Sequence, residues 1–101
     1  MTLDAVSAGL SGIRAATTRV SNSAHNVSNL LTEDFHPLHT TQRTLPSGGS
    51  EAVTSRAESP AQVDAGKELV GQILAGLQFK ASIRALEAGL ELKGSLLDIK
   101  A

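Results

Sequence analysis

Apolar or small residues in the first third of the chain recur at alternating steps of three and four. The steps continue over about four heptads, which is typical of a helix face that packs in a coiled coil. Thr17 and Ala24 are the weak positions of the series. We therefore predict an N-terminal helix over residues 1–31. Its assembly seam carries Leu3, Val6, Leu10, Ile13, Val20 and Val27.

A second apolar stripe runs through the C-terminal part of the chain, with charged residues between its members. The run Ser59-Pro60-Ala61-Gln62 is a helix-start signal, because Ser59 can cap the first turn and Pro60 suits its first position. We predict a second helix over residues 60–101. Its assembly positions are Leu69, Val70, Ile73, Leu77, Leu86, Leu90 and Leu97.

Glycines weaken this second helix, since each costs about 0.8–1 kcal/mol relative to alanine. Two such helices cannot cover both of each other's apolar faces, and isolated helices of this kind are marginal in water. We expect the chain to order fully only among copies of itself or with partners. The glycines concerned are Gly66, Gly71, Gly76, Gly89 and Gly94.

Residues 32–59 lose the helical period and are rich in serine, glycine and proline, which predicts a connecting loop with room for a short hairpin. The predicted fold is therefore all-α. Two long antiparallel helices form a coiled-coil hairpin with an irregular connecting loop, in one structural domain that assembles into a helical oligomer.

Composition excludes several classes of function. The chain has 101 residues, nine basic and ten acidic side chains and a net charge of −1, so nothing attracts nucleic acid. It has no cysteine, and no stretch approaches the roughly 20 apolar residues of a membrane span. The N-terminal residues lack a basic leader and a continuous apolar stretch, so we expect no secretory signal peptide there. Two phenylalanines without tyrosine or tryptophan argue against a deep ligand cleft, and we expect no cofactor.

The predicted first helix carries few charges for an exposed helix. Up to Leu31 its charged residues are Asp4, Arg14 and Arg19, and small neutral residues fill most other positions. Exposed helix faces usually alternate lysine and glutamate, whereas interface cores are depleted in charge. We predict that protein surrounds this helix and that another backbone approaches it closely.

The residues after this helix include the chain's candidate chemical site. His36 and His39 follow Glu33 and Asp34, and zinc accepts two histidines and a carboxylate. The spacing lacks the helical geometry of a zinc-protease motif, and no activated nucleophile is apparent. We expect solvated loop histidines, no metal site and no enzymatic activity; a metal-dependent enzyme using His36 and His39 is a minor alternative.

Asparagines mark the end of the first helix. Asn26 and Asn29 precede Thr32, and asparagine side chains bond nearby backbone groups and tolerate left-handed conformations. This pattern predicts a specified helix exit, a structural joint between the helix and the segment that follows it.

The same residues resemble the bacterial flagellar rod and hook proteins, whose N-terminal helix ends in a motif close to NNIANxxTPGY. Asn26, Val27, Asn29 and Thr32 match its positions. The family's Pro-Gly-Tyr is replaced by Glu33-Asp34-Phe35, and the middle of this chain is much shorter.

The C-terminal part resembles the family's second helix, with Phe79 in place of its tyrosine and Ser82 in place of its later asparagine. The ending is most similar to short proximal-rod proteins. The positions with matching spacing are Val63-Asp64, Glu68-Leu69-Val70, Ile73, Ala75, Phe79, Ala81 and Ser95-Leu96-Leu97-Asp98-Ile99.

The resemblance implies a non-enzymatic structural subunit of a flagellar-type axial assembly, a rod or rod-like tube. Such subunits leave through the type III export apparatus without a cleaved signal and reach the basal body in the periplasm or an extracellular filament. Their partners are copies of themselves, other axial proteins and the export apparatus, without membrane insertion. The motif residues that carry over are Asn26, Asn29, Thr32, Phe35 and Phe79. The alternative is a small helical adaptor or export-linked protein that binds an axial protein without polymerising.

Overall fold

The structure is a computed structural model that describes the backbone of residues 2–100, and the side-chain burial of residues 5–92 and 94. Its elements, in chain order, are helix α1 at Thr2–Ser28, strand β1 at Leu38–Leu45, strand β2 at Gly49–Arg56 and helix α2 at Ala65–Lys100. The side chains of Leu3 and Leu97, two predicted seam positions, lie outside the described residues.

The prediction of an all-α fold with an irregular loop is wrong, because residues 38–56 form a two-stranded antiparallel sheet. The strands pair from Leu38 with Arg56 to Leu45 with Gly49. Between them Pro46 occupies the second position of a turn in which the Gly48 N–H donates to the Leu45 carbonyl at 3.0 Å. Gly48 has a φ of 86°, the left-handed conformation that closes a three-residue hairpin loop.

Both helices are shorter than the sequence predicts. α1 ends at Ser28, and α2 begins at Ala65, where Asp64 rather than Ser59 provides the cap. The Asp64 carboxylate accepts the Lys67 N–H at 3.1 Å. The segment before it is drawn back towards the α1 exit, because the Ala57 and Ala61 N–H groups donate to the carbonyls of Pro37 and Phe35 at 2.9 and 3.0 Å.

The two helices pack through small residues. A Cβ atom at Gly9 would lie 3.1 Å from Leu86 Cβ and 3.2 Å from the Leu86 backbone nitrogen. The prediction that another backbone approaches α1 closely is therefore confirmed at Gly9. The buried apolar side chains among the described residues are also mostly small: Ala15, Ala16, Val63 and Ala75.

The hairpin lies against α1, so α1 contacts both the sheet and α2. The chain is slender, with extents of 63 × 23 × 14 Å and a radius of gyration of 17.3 Å. A compact domain of this length has a radius of gyration of about 13 Å. Neither helix, over the described residues, contains a stretch long and apolar enough to cross a membrane.

Candidate functional site

Asn26 joins three elements at the end of α1. Its side chain is almost fully buried, with 2% of its surface exposed. Asn26 Oδ1 accepts the Leu38 N–H at 2.8 Å, and Nδ2 donates to the Leu38 carbonyl at 2.9 Å. Nδ2 also donates to Glu68 Oε1 at 3.0 Å. The amide therefore pairs with the first residue of β1 as a neighbouring strand would, and it ties that strand to the first turn of α2.

Ser23, one turn earlier on the same face of α1, strengthens the connection to α2. Its hydroxyl donates to the Glu68 carbonyl at 3.2 Å and accepts from Gln72 Nε2 at 3.0 Å. Since Ser23 is 7% exposed, both bonds are largely shielded from water. Ser23, Asn26, Glu68 and Gln72 form a polar cluster, called here the joint cluster.

Asn29 and Thr32 shape the exit of α1. Asn29 Nδ2 donates to the His25 carbonyl at 2.9 Å, and the Thr32 hydroxyl donates to Asn29 Oδ1 at 3.0 Å. Phe35 lies beside the His25 ring, with ring centroids 5.6 Å apart. Asp34, the residue before Phe35, adopts a φ of 54°. This is the left-handed region, which asparagine and aspartate tolerate best after glycine.

The histidines of the candidate chemical site do not converge. His36 Nδ1 lies 2.8 Å from the Ala57 carbonyl, and His39 is exposed on β1. His36 lies in a loop as expected but is half-buried, and its ring must donate this bond because a carbonyl can only accept. His39 is exposed as expected but lies on a strand rather than in a loop. Within the described residues no three histidine, aspartate or glutamate side chains are placed to hold a metal ion.

A second set of polar contacts attaches the hairpin to the middle of α1. Arg19 Nη1 donates to Gln42 Oε1 at 3.0 Å and to Gln78 Oε1 at 2.8 Å, so it links β1 to α2. Asn22 Nδ2 donates to the hydroxyls of Thr40 and Thr54 at 2.9 and 2.7 Å. Sequence reasoning missed these contacts, since it left room for a short hairpin but did not locate its strands.

The predicted seam of α1 lies at the side of the helix pair. Val6 and Ile13 are half-buried, whereas Leu10, Val20 and Val27 remain about 40% exposed. The stripe that faces α2 has the same heptad spacing but small or polar members. These members are Gly9, Gly12, Ala16, Arg19, Ser23 and Asn26.

The predicted positions of α2 are more exposed still. Leu86 contacts Gly9 and is half-buried, and Phe79 is 38% exposed. Leu90 is 52% exposed. Four further positions have 56–59% of their surface exposed; they are Leu69, Val70, Ile73 and Leu77.

An open groove of about 680 Å³ lies between β1 and the first turns of α2. Its floor holds Ser23 and Asn26, whose polar atoms already bond within the chain. No buried side-chain nitrogen or oxygen lacks a partner among the described residues. The groove therefore presents no unused buried polar group for a ligand.

No protein-family model matches this chain, and no curated protein matches it significantly.

Proposed function

We propose that this protein is a structural subunit of a flagellar-type axial assembly, and that it self-associates through the open faces of its helices. The observation that carries the proposal is the amount of apolar surface that the single chain leaves uncovered. We infer the kind of assembly from the motif resemblance described above. We infer the contact surfaces from the positions of the exposed apolar residues.

The exposed area supports association with other chains. The chain exposes 7,039 Å², whereas a compact monomer of 10.4 kDa exposes about 5,400 Å². The excess of about 1,600 Å² equals roughly two patches of the size that one partner contributes to a standard interface. A subunit that contacts neighbours on two sides would need about that much.

The position of the apolar residues supports the same proposal. Leu69, Val70, Ile73 and Leu77 lie within three turns of α2, and Leu10, Val20 and Val27 follow one side of α1. Large contiguous apolar patches on a chain of this size mark contacts with other molecules. Aspartate at such a position would weaken association without disturbing a contact inside the chain.

The test is the double substitution Ile73→Asp and Leu77→Asp. Both side chains are more than half exposed, so the two changes together should alter the free energy of unfolding of dilute protein by no more than about 1 kcal/mol. We expect the unaltered protein to form large assemblies, seen by sedimentation, and tubes, seen by electron microscopy; the double variant should lose both.

A matched control places the same two charges on the hairpin, as Ser47→Asp and Ser55→Asp, where both positions are exposed. This control should assemble normally. If the unaltered protein gives only small soluble oligomers at high concentration, the adaptor function replaces the axial subunit. If Ile73→Asp with Leu77→Asp assembles as well as the control, the proposed surface is wrong.

A further inference from the structure

The face of α2 that points away from α1 changes in character along its length. Its members follow one another at steps of three and four, which keeps them on one side of the helix. All of them are exposed. In chain order they are Leu69, Ile73, Leu77, Lys80, Arg84, Glu87 and Glu91.

The charges on this face occur as two blocks. Lys80 and Arg84 are four residues apart, and so are Glu87 and Glu91. Like charges at this spacing weaken an isolated helix, whereas alternating signs would stabilise it. Arranged in blocks, the charges complement a second copy that runs in the opposite direction, because the basic block of each helix then faces the acidic block of the other.

We infer that this face of α2 binds the same face of a second copy in an antiparallel, two-fold dimer. In the matching register Lys80 lies opposite Glu91 of the second copy, and Arg84 lies opposite Glu87. The two-fold axis repeats both pairs. A parallel copy in register would place like charges together, and interhelical charge pairs set the orientation of helices in coiled coils.

The same register also covers two of the three apolar side chains of this face. It overlaps the two helices from residue 71 to residue 100, about 45 Å of helix. Leu77 then lies opposite Gly94, so Ile73 and Leu77 face the last turns of the second copy's α2. Leu69 lies outside the overlap. A contact of this length can bury an area of the order of the roughly 800 Å² per partner in a standard interface.

This inference rests on the self-association proposed above and assigns it one surface and one orientation. A two-fold contact is closed and cannot by itself extend into a tube. We therefore assign the dimer to the unassembled subunit, where it covers this face of α2 from residue 71 onwards. The side of α1 with Leu10, Val20 and Val27 stays open in this dimer.

Charge exchange tests the pairing by sedimentation equilibrium of dilute protein. Lys80→Glu with Arg84→Glu makes the face wholly acidic, and Glu87→Lys with Glu91→Lys makes it wholly basic. Each double variant should dimerise about tenfold more weakly than the unaltered protein, and an equimolar mixture of the two should recover the original affinity. Circular dichroism of each variant checks that its helix content is unchanged.

Spin labels test the orientation, because the chain has no cysteine of its own. Ala88 is exposed, and a Cβ atom at Gly76 meets nothing within 4 Å, so cysteine at either position accepts a label. Antiparallel pairing separates the two labels along the axis by about 8 Å at position 88 and about 28 Å at position 76. In a parallel, in-register dimer the distance between the two labels along the axis would be the same at position 88 as at position 76.

Equal label separations, or charge variants that dimerise as the unaltered protein does, would overturn the inference. If the charge variants are unaffected while the unaltered protein still forms large assemblies, the proposed function stands and the dimer does not. If the unaltered protein stays monomeric at all concentrations, both are wrong.

Discussion

The two helices differ in how much of their surface makes contacts within the chain. α1 uses polar side chains, notably Arg19, Asn22 and Asn26, to bond the hairpin and α2. α2 packs one side on α1 and leaves Leu69, Ile73 and other large apolar residues more than half exposed on the other. The order of α1 thus depends on contacts inside the chain, whereas α2 presents surface that contacts inside the chain do not use.

This difference separates stability from association. Substitutions on the buried side of α1 should lower the free energy of unfolding of a single chain. Substitutions on the open side of α2 should leave it nearly unchanged and should act on self-association instead. Each of the following changes tests that division, in order of decreasing expected effect.

Asn26→Ala should be the most damaging of these single changes. It removes three hydrogen bonds from a side chain that is 2% exposed and leaves the Leu38 N–H and carbonyl without partners. We expect a loss on the order of 3 kcal/mol in the free energy of unfolding, measured by urea titration of dilute protein. Helix content should fall together with hairpin signal, because the joint cluster connects both.

Asn22→Ala is the matched control, four residues earlier on the same helix. Its amide bonds two threonine hydroxyls in a less buried place, and those hydroxyls can turn to water. The expected cost is about 1 kcal/mol or less. If Asn22→Ala and Asn26→Ala lower the free energy of unfolding equally, then the burial of the Asn26 hydrogen bonds does not increase their contribution to stability.

Gly9→Leu and Gly76→Ala should change stability in opposite directions. A side chain at Gly9 meets the Leu86 backbone at 3.2 Å, so leucine must push the helices apart at a cost of about 1–3 kcal/mol. At Gly76 a Cβ meets nothing within 4 Å, and alanine should stabilise α2 by up to about 1 kcal/mol. Thermal unfolding of both variants measures the difference. Destabilisation by Gly76→Ala would show that this side of α2 needs close approach.

The helices could be predicted from their period, but the face that packs could not. On α1, Leu10, Val20 and Val27 belong to one row with alternating steps of three and four, and Gly9, Ala16 and Ser23 belong to another. Hydrophobicity favours the first, and the structure packs the second against α2. The small residues face α2 because they let the two backbones approach closely. This preference depends on the shape of α2, which the sequence of α1 does not show.

The sequence left room for a hairpin, but its strands could not be located for a related reason. Its side chains towards α1 include Thr40 and Gln42, which make polar contacts, so no alternation of apolar and polar residues marks β1. The turn Leu45-Pro46-Ser47-Gly48 did carry a local signal. For Asn26, local capping rules indicated a role at the helix end. Its bonds to Leu38 and Glu68 connect residues far apart in sequence, which those rules do not address.

The smallest expected effect belongs to His39, the exposed one of the two histidines in the segment that resembles a chemical site. His36→Ala should cost about 0.5–1.5 kcal/mol, because the Ala57 carbonyl loses its part-buried donor. His39→Ala should change the free energy of unfolding by less than about 0.5 kcal/mol, since its side chain is exposed. His36→Asn should restore part of the loss, because the amide nitrogen of asparagine can take the place of Nδ1. Urea titration of the three variants at one concentration measures these differences. Loss of assembly in His39→Ala with unchanged unfolding would instead reveal a role for that ring between chains.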